Sequence, residues 1–282
     1  MVRRRIAEEP PSRLAIWARR IALFSLAATF VAIIIVRSGA LEIVPALSTL
    51  AGALVLALVA IMLAIGAGIV IWFEGVGGLR EAVSALAIGL ALIAYPAYLG
   101  AKAYRLPAIY DITTDPIDPP RFDAIARLRP RNANPTTYAG LYTAEQQHAA
   151  YPDIEPEVTD SSPQEAYNAV LKVITKRKWH IVDARPPQAA VPREGRIEAI
   201  ALTPILGFRD DVAVRVRATQ DGARIDIRSA SRYGRHDLGA NAARVRALID
   251  DIDDVLAAPG AEKPQPATKP AQAAGKGSSA KR

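Results

Sequence analysis

A chain of 282 residues has room for a membrane anchor and one further domain of ordinary size, and its lack of cysteine excludes disulfides, thiolate nucleophiles and cysteine metal sites. The formal charge of +7 lies in the two ends: residues 1–20 carry six Arg against two Glu and residues 259–282 carry four Lys and one Arg against one Glu, leaving 24 basic and 25 acidic residues between them. That distribution supplies no folded basic groove, so nucleic acid is not an expected partner.

Residues 1–20 form a basic segment, with Arg3, Arg4, Arg5, Arg13, Arg19 and Arg20 ahead of the first apolar run. Three runs, 21–36, 47–73 and 82–99, contain no Asp, Glu, Lys or Arg. A bilayer core about 30 Å thick takes about 20 apolar residues in a helix, so these runs predict three transmembrane helices within residues 21–105. Arg80 joins the amino-terminal cluster on one face, against Arg37, Lys102 and Arg105 on the other. The excess of Lys and Arg puts the amino terminus in the cytoplasm and the carboxy-terminal domain outside the inner membrane, on the periplasmic side. A cleaved signal peptide is the rival for residues 1–40, but Arg37 falls in its cleavage region and two more spans follow. Without an ionisable residue inside a span, an anchor fits better than a transporter, and Ala60, Ala64 and Gly68 are spaced to bring helices close.

Residues 106–160 read as an extended, proline-rich segment, of which 129–160 either wraps the domain or contains a short helix. Asp111, Asp115 and Asp118 lack calcium-loop spacing and its closing Glu, so no metal is expected there. Residues 161–258 have the pattern of an α+β domain. Ser162-Pro163-Gln164-Glu165 is a capping box that starts a helix with Tyr167, Val170, Leu171 and Ile174 on one face. The basic run Lys176-Arg177-Lys178 ends it, at the carbonyl end of the dipole. Strands follow at 179–184, 196–202, 211–218 and 223–231, the last two joined by Asp221-Gly222 in a type I′ turn. Leu238, Ala242, Val245, Ile249, Ile252 and Leu256 define a closing helix with Asp237 as its N-cap. The expected architecture is three transmembrane helices, then a two-layer domain of about four antiparallel strands with helices on one face. Residues 259–282, rich in Ala, Lys, Pro and Gly, are expected to form a disordered basic tail.

A two-residue turn at Asp221-Gly222 pairs Asp211 with Arg232, Arg217 with Asp226 and Arg215 with Arg228 on the face away from the helices. Two arginines facing each other cost stability unless an anion, a carboxylate or water lies between them, or unless both splay into solvent or toward Asp226. Arg215, Arg228, Arg232, Arg235 and His236 are therefore the candidate ligand-binding residues. Ser229, Ser231, His236 and Asp237 contain the residue types of a hydrolase triad, without the G-x-S-x-G elbow. His148, His180 and His236 show no HExxH spacing, so a catalytic zinc is not expected, and Gly234 and Gly239 are turn glycines outside any nucleotide-binding pattern; no cofactor is implied.

Phe208-Arg209-Asp210-Asp211-Val212, the run IDIRSASRYGRHDLGANAARVR at 225–246 and YDITTD at 110–115 resemble the bacterial family named domain of unknown function 1499, over roughly residues 104–256. The resemblance implies membrane spans ahead of the domain and brings no catalytic residue. The function expected is a membrane-anchored, non-catalytic module that binds an envelope protein, an anionic lipid or an envelope polymer; the alternative is an envelope hydrolase using His236 and a nearby serine.

Overall fold

Helices α1 (Arg13–Ser38), α2 (Ile43–Glu74) and α3 (Leu79–Arg105) build a bundle in the computed structural model, each long and apolar enough to cross a membrane. The structure describes residues 10–188 and 194–258. The tail at 259–282 and Arg3, Arg4 and Arg5 lie outside the described residues. Alanine makes nearly all of the bundle's interior: Ala15, Ala18 and Ala22 of α1, Ala57, Ala60, Ala64 and Ala67 of α2, and Ala82 and Ala85 of α3. Small side chains let helix backbones approach where lipid gives no hydrophobic drive for association. Gly68 has open space around it, and Ala67 takes the interior place; the close approach is at Gly89, where a Cβ would stand 2.5 Å from Ile61 Cγ1. Phe24, Phe30, Met62, Trp72 and Phe73 face outward.

The carboxy-terminal domain is α+β, with a sheet of six antiparallel strands rather than about four. Strands β3 (His180–Arg185), β4 (Glu194–Leu202), β5 (Arg209–Ala218) and β6 (Ala223–Ser231) stand where the alternation places strands, with ends shifted by a residue or two. The extra two, β1 (Asp111–Thr113) and β2 (Glu157–Thr159), come from the segment expected to be extended, and both pair with the outer edge of β6. At three residues each they carry too little alternation to be read as strands. The same segment holds two short helices, α4 (Ala124–Leu128) and α5 (Leu141–Ala150). Gln147 of α5 donates to the Thr113 carbonyl at 2.7 Å and accepts from its N–H at 3.0 Å, satisfying the free edge of β1.

One face of the sheet packs under α6 (Pro163–Lys176) and α7 (Ala240–Ala257), burying Ile197, Val212, Val214, Val216, Ile225 and Ile227 against Val170, Ile174, Val245, Leu248 and Ile252. The capping box is present: Ser162 Oγ accepts from the Glu165 N–H at 3.3 Å and Glu165 Oε2 accepts from the Ser162 N–H at 2.8 Å. Helix α7 has Gly239 in the N-cap place, and Asp237 serves it from two residues upstream, its carboxylate accepting from the N–H groups of Gly239 and Asn241.

The opposite face is covered as well, by residues 115–139. Phe122 and Ile125 pack on Ala213 and Ala230, and Glu198, 3% exposed, accepts the N–H groups of Asp123, Ala124 and Ile125 at the start of α4. Helices on one face only is thus half the description: an irregular layer covers the other.

The hairpin register differs from expectation by two residues. The chain reverses at Gln220-Asp221, with the Thr219 N–H donating to the Gly222 carbonyl at 2.9 Å, and Arg215 pairs with Asp226, Ala213 with Arg228 and Asp211 with Ala230. Gly222 is needed elsewhere: a Cβ on it would lie 2.1 Å from the Thr159 carbonyl of β2. A two-residue shift keeps each side chain on its expected face and changes only its partner.

Candidate functional site

The arginines expected to face a ligand face carboxylates instead. Arg228, 2% exposed, forms a fork-to-fork pair with Asp111 of β1 (Nε to Oδ1 2.9 Å, Nη2 to Oδ2 2.6 Å). It also donates to the carbonyls of Pro120 and Thr136 and lies over the Phe122 ring, 4.6 Å from its centroid. Arg215 bonds Asp226 and Asp118 at 3.0 and 2.9 Å, within a cluster in which Arg215, Arg217 and Arg224 meet Asp115, Asp118 and Asp226. The register sets Arg217 opposite Arg224, and the carboxylates of Asp115 and Asp226 bridge that pair, so within this cluster three carboxylates meet three guanidinium groups.

The serine and histidine residues do not assemble into a triad. His236 Nδ1 accepts from the Leu238 N–H at 3.0 Å, which leaves Nε2 as the donor, and Nε2 lies 3.2 and 3.1 Å from the carbonyls of Ala103 and Leu106 at the end of α3. Both nitrogens are held by backbone. Ser229 is bonded to Asn241 and Arg244, Ser231 to Asn241, and Asp237 to the start of α7. Burial, the dominant effect, pushes the Asp237 carboxyl above its ordinary range. Arg235 is exposed on the loop before His236.

Arg232 is the one arginine of that set whose surroundings leave charge over. Asp211 accepts from Arg232 (2.9 and 2.7 Å) and also from Arg129 Nε at 2.6 Å, so two buried guanidinium groups share one buried carboxylate. Arg129 places Nη1 on the carbonyls of Asn134 and Pro135 and has no partner for Nη2. Among the described residues, every other buried arginine has at least one carboxylate of its own within its cluster. Like charges in a low-dielectric site repel strongly unless an anion lies nearby.

Arg232 also lines a cavity of about 900 Å³ between the sheet domain and the α1–α2 end of the bundle. Its floor is Val36, Arg37, Leu41, Glu42, Ile43 and Ala46; its walls include Leu128 and Pro130 on either side of Arg129, Lys178, Trp179, His180, Leu202, Phe208 and Arg209. Arg37, Lys178 and Arg209 are exposed and have no carboxylate partner among the described residues, while Glu42 is the acidic lining residue. Arg37 also ties the domain down, Nη1 donating to the Pro204 and Ile205 carbonyls at 2.7 and 3.4 Å. Lys178 sits at φ +56°, a left-handed conformation disfavoured for side-chain-bearing residues, just past the end of α6.

Arg37, Lys178 and Arg209 were not singled out by the sequence as ligand residues. Each had a sufficient local explanation: the edge of a span, a helix dipole, a strand flank. Their convergence depends on how the bundle and the sheet dock.

A family model described as a protein of unknown function, DUF1499, matches residues 111–252. The chain belongs to the DUF1499 family. The DUF1499 match begins at Asp111, the partner of Arg228, and ends within α7, so it takes in the sheet, both layers on it and the cavity residues Lys178, Arg209 and Arg232. The floor residues Arg37, Leu41 and Glu42 come from the helices before the match. No curated protein and no solved structure matches the chain.

Proposed function

We propose that this protein is a membrane-anchored, non-catalytic module that holds an anionic ligand in the cavity between its sheet and its α1–α2 turn. The observation that carries the reading is the charge excess at the cavity: Arg232, which lines it, shares Asp211 with Arg129, and Lys178 and Arg209 line it with no carboxylate partner among the described residues. Planar guanidinium groups held in place by a carboxylate suit phosphate oxygens, and a fixed cation in a partly desolvated site gains more from an anion than a surface one does. Arginine clusters on the cytoplasmic side of the first span and at Arg80 favour the orientation in which the cavity opens outside the inner membrane. An envelope component is then the natural source of the anion.

The test is thermal unfolding of the full chain in phosphatidylcholine nanodiscs against inorganic phosphate and pyrophosphate. An anion at a hundred times its dissociation constant adds about 2.7 kcal/mol to stability. The expected result is a rise in unfolding temperature for the wild type, lost in a Lys178→Ala, Arg209→Ala double variant whose own unfolding temperature is unchanged. Equal shifts in both proteins, or none in the wild type, overturn the reading.

A further inference from the structure

Resting on that reading, we infer that the ligand is a phosphate-bearing amphiphile taken from the bilayer, with its headgroup at Lys178, Arg209 and Arg232 and its apolar part over the α1–α2 end of the bundle. The cavity's floor is built from the adjoining ends of two helices long and apolar enough to cross a membrane. Val36 is the last residue of the apolar run 21–36, and Ile43 and Ala46 lead into the run 47–73. The cavity therefore has one wall of cations and one wall continuous with lipid-facing helix, and a lipid can reach it by lateral movement without leaving the membrane.

Size points the same way. A volume of about 900 Å³ is near the upper end of the roughly 300–1,000 Å³ typical of sites for drug-sized ligands, far more than an inorganic anion needs. Six large apolar lining residues have nothing to offer an anion: Val36, Leu41, Ile43, Leu128, Leu202 and Phe208 would lose water only to an apolar group. Glu42 on the floor disfavours a second anionic group there and keeps the negative charge at the opposite wall. A free phosphate explains the cations and leaves the apolar wall idle; an amphiphile uses both.

The experiment compares three probes on the full chain in phosphatidylcholine nanodiscs, by unfolding temperature: phosphatidic acid as a minor lipid, glycerol 3-phosphate in solution, and inorganic phosphate in solution. Phosphatidic acid is expected to stabilise the wild type at an effective concentration at least tenfold below that of glycerol 3-phosphate. Arg209→Ala should weaken the phosphatidic acid effect about tenfold or more. Arg105→Ala, which removes a cation at the same end of the bundle but outside the cavity, should leave it unchanged and so separates a site from general surface charge. Leu41→Asn, on the exposed floor, should weaken phosphatidic acid and leave glycerol 3-phosphate as it was. Equal potency of the three probes overturns the amphiphile inference while the anion site stands. A response to Arg105→Ala equal to that of Arg209→Ala overturns it in favour of surface charge, and no stabilisation by any probe removes both the inference and the reading beneath it.

Discussion

At the scale of single residues, the domain is governed by how its arginines are matched. Arg228 with Asp111 and the trio Arg215, Arg217 and Arg224 with Asp115, Asp118 and Asp226 are complete clusters that hold the irregular segment onto the sheet. Removing one partner of such a buried pair typically costs about 3–5 kcal/mol because the other charge is stranded. Asp115 shows how this couples to pH. Burial tends to raise its pKa, yet the Asp118 N–H and the guanidinium groups of Arg224, Arg215 and Arg217 together hold it below the ordinary 3.8. A carboxyl depressed in the folded state adds stability that is fully present above pH 3.8 and is lost as the pH falls through 3.8 toward the folded value. Opening free energies from hydrogen exchange of β5 and β6 amides should therefore be higher in the wild type than in Asp115→Asn at pH 6, with the gap closing as the pH falls below 4. A gap that stays constant with pH would mean that the Asp115 charge contributes nothing.

At the scale of elements, what was legible in the sequence is what is local. The capping box at Ser162 to Glu165, the apolar stripe of α7 and the period of β5 and β6 are decided within a few residues, and each appears in place. The hairpin register was not legible because Gly222 answers to Thr159, more than sixty residues upstream, rather than to its own turn. The carboxylate partners of Arg228 and, apart from Asp226, of Arg215 were not legible for the same reason: they come from 111–118, too short and irregular to read as part of the sheet. Lys178 is the clearest case. Its run suits a helix dipole, but its left-handed backbone is a property of the fold, and glycine is the residue that normally occupies this position. Lys178→Gly should therefore stabilise the domain by up to about 1 kcal/mol while weakening the phosphate response in the nanodisc titration. Stability and binding moving in the same direction would show that the lysine is kept for packing and not for its charge.

At the scale of the whole molecule, the domain is fastened to the bundle at two separated points. Arg37 grips the β4–β5 loop from the end of α1, and His236 closes on the end of α3 through Ala103 and Leu106, helped by the Asp237 N–H donating to the Ile109 carbonyl at 3.0 Å. The cavity lies on the Arg37 side, so the His236 tie acts at a distance, as the second support that stops the domain from pivoting. His236→Ala removes a donor from the last carbonyls of α3 and an acceptor from the Leu238 N–H, and leaves the sheet core untouched. The expected outcome is faster hydrogen exchange at residues 236–239 and around the end of α3, unchanged exchange in β5 and β6, and a weaker phosphate response even though no cavity residue is altered. If the α3 end loosens and the response does not change, the Arg37 tie alone sets the cavity's shape. If exchange near His236 does not change at all, the Asp237 backbone contact is sufficient to hold the domain, and the histidine only fills space at the junction.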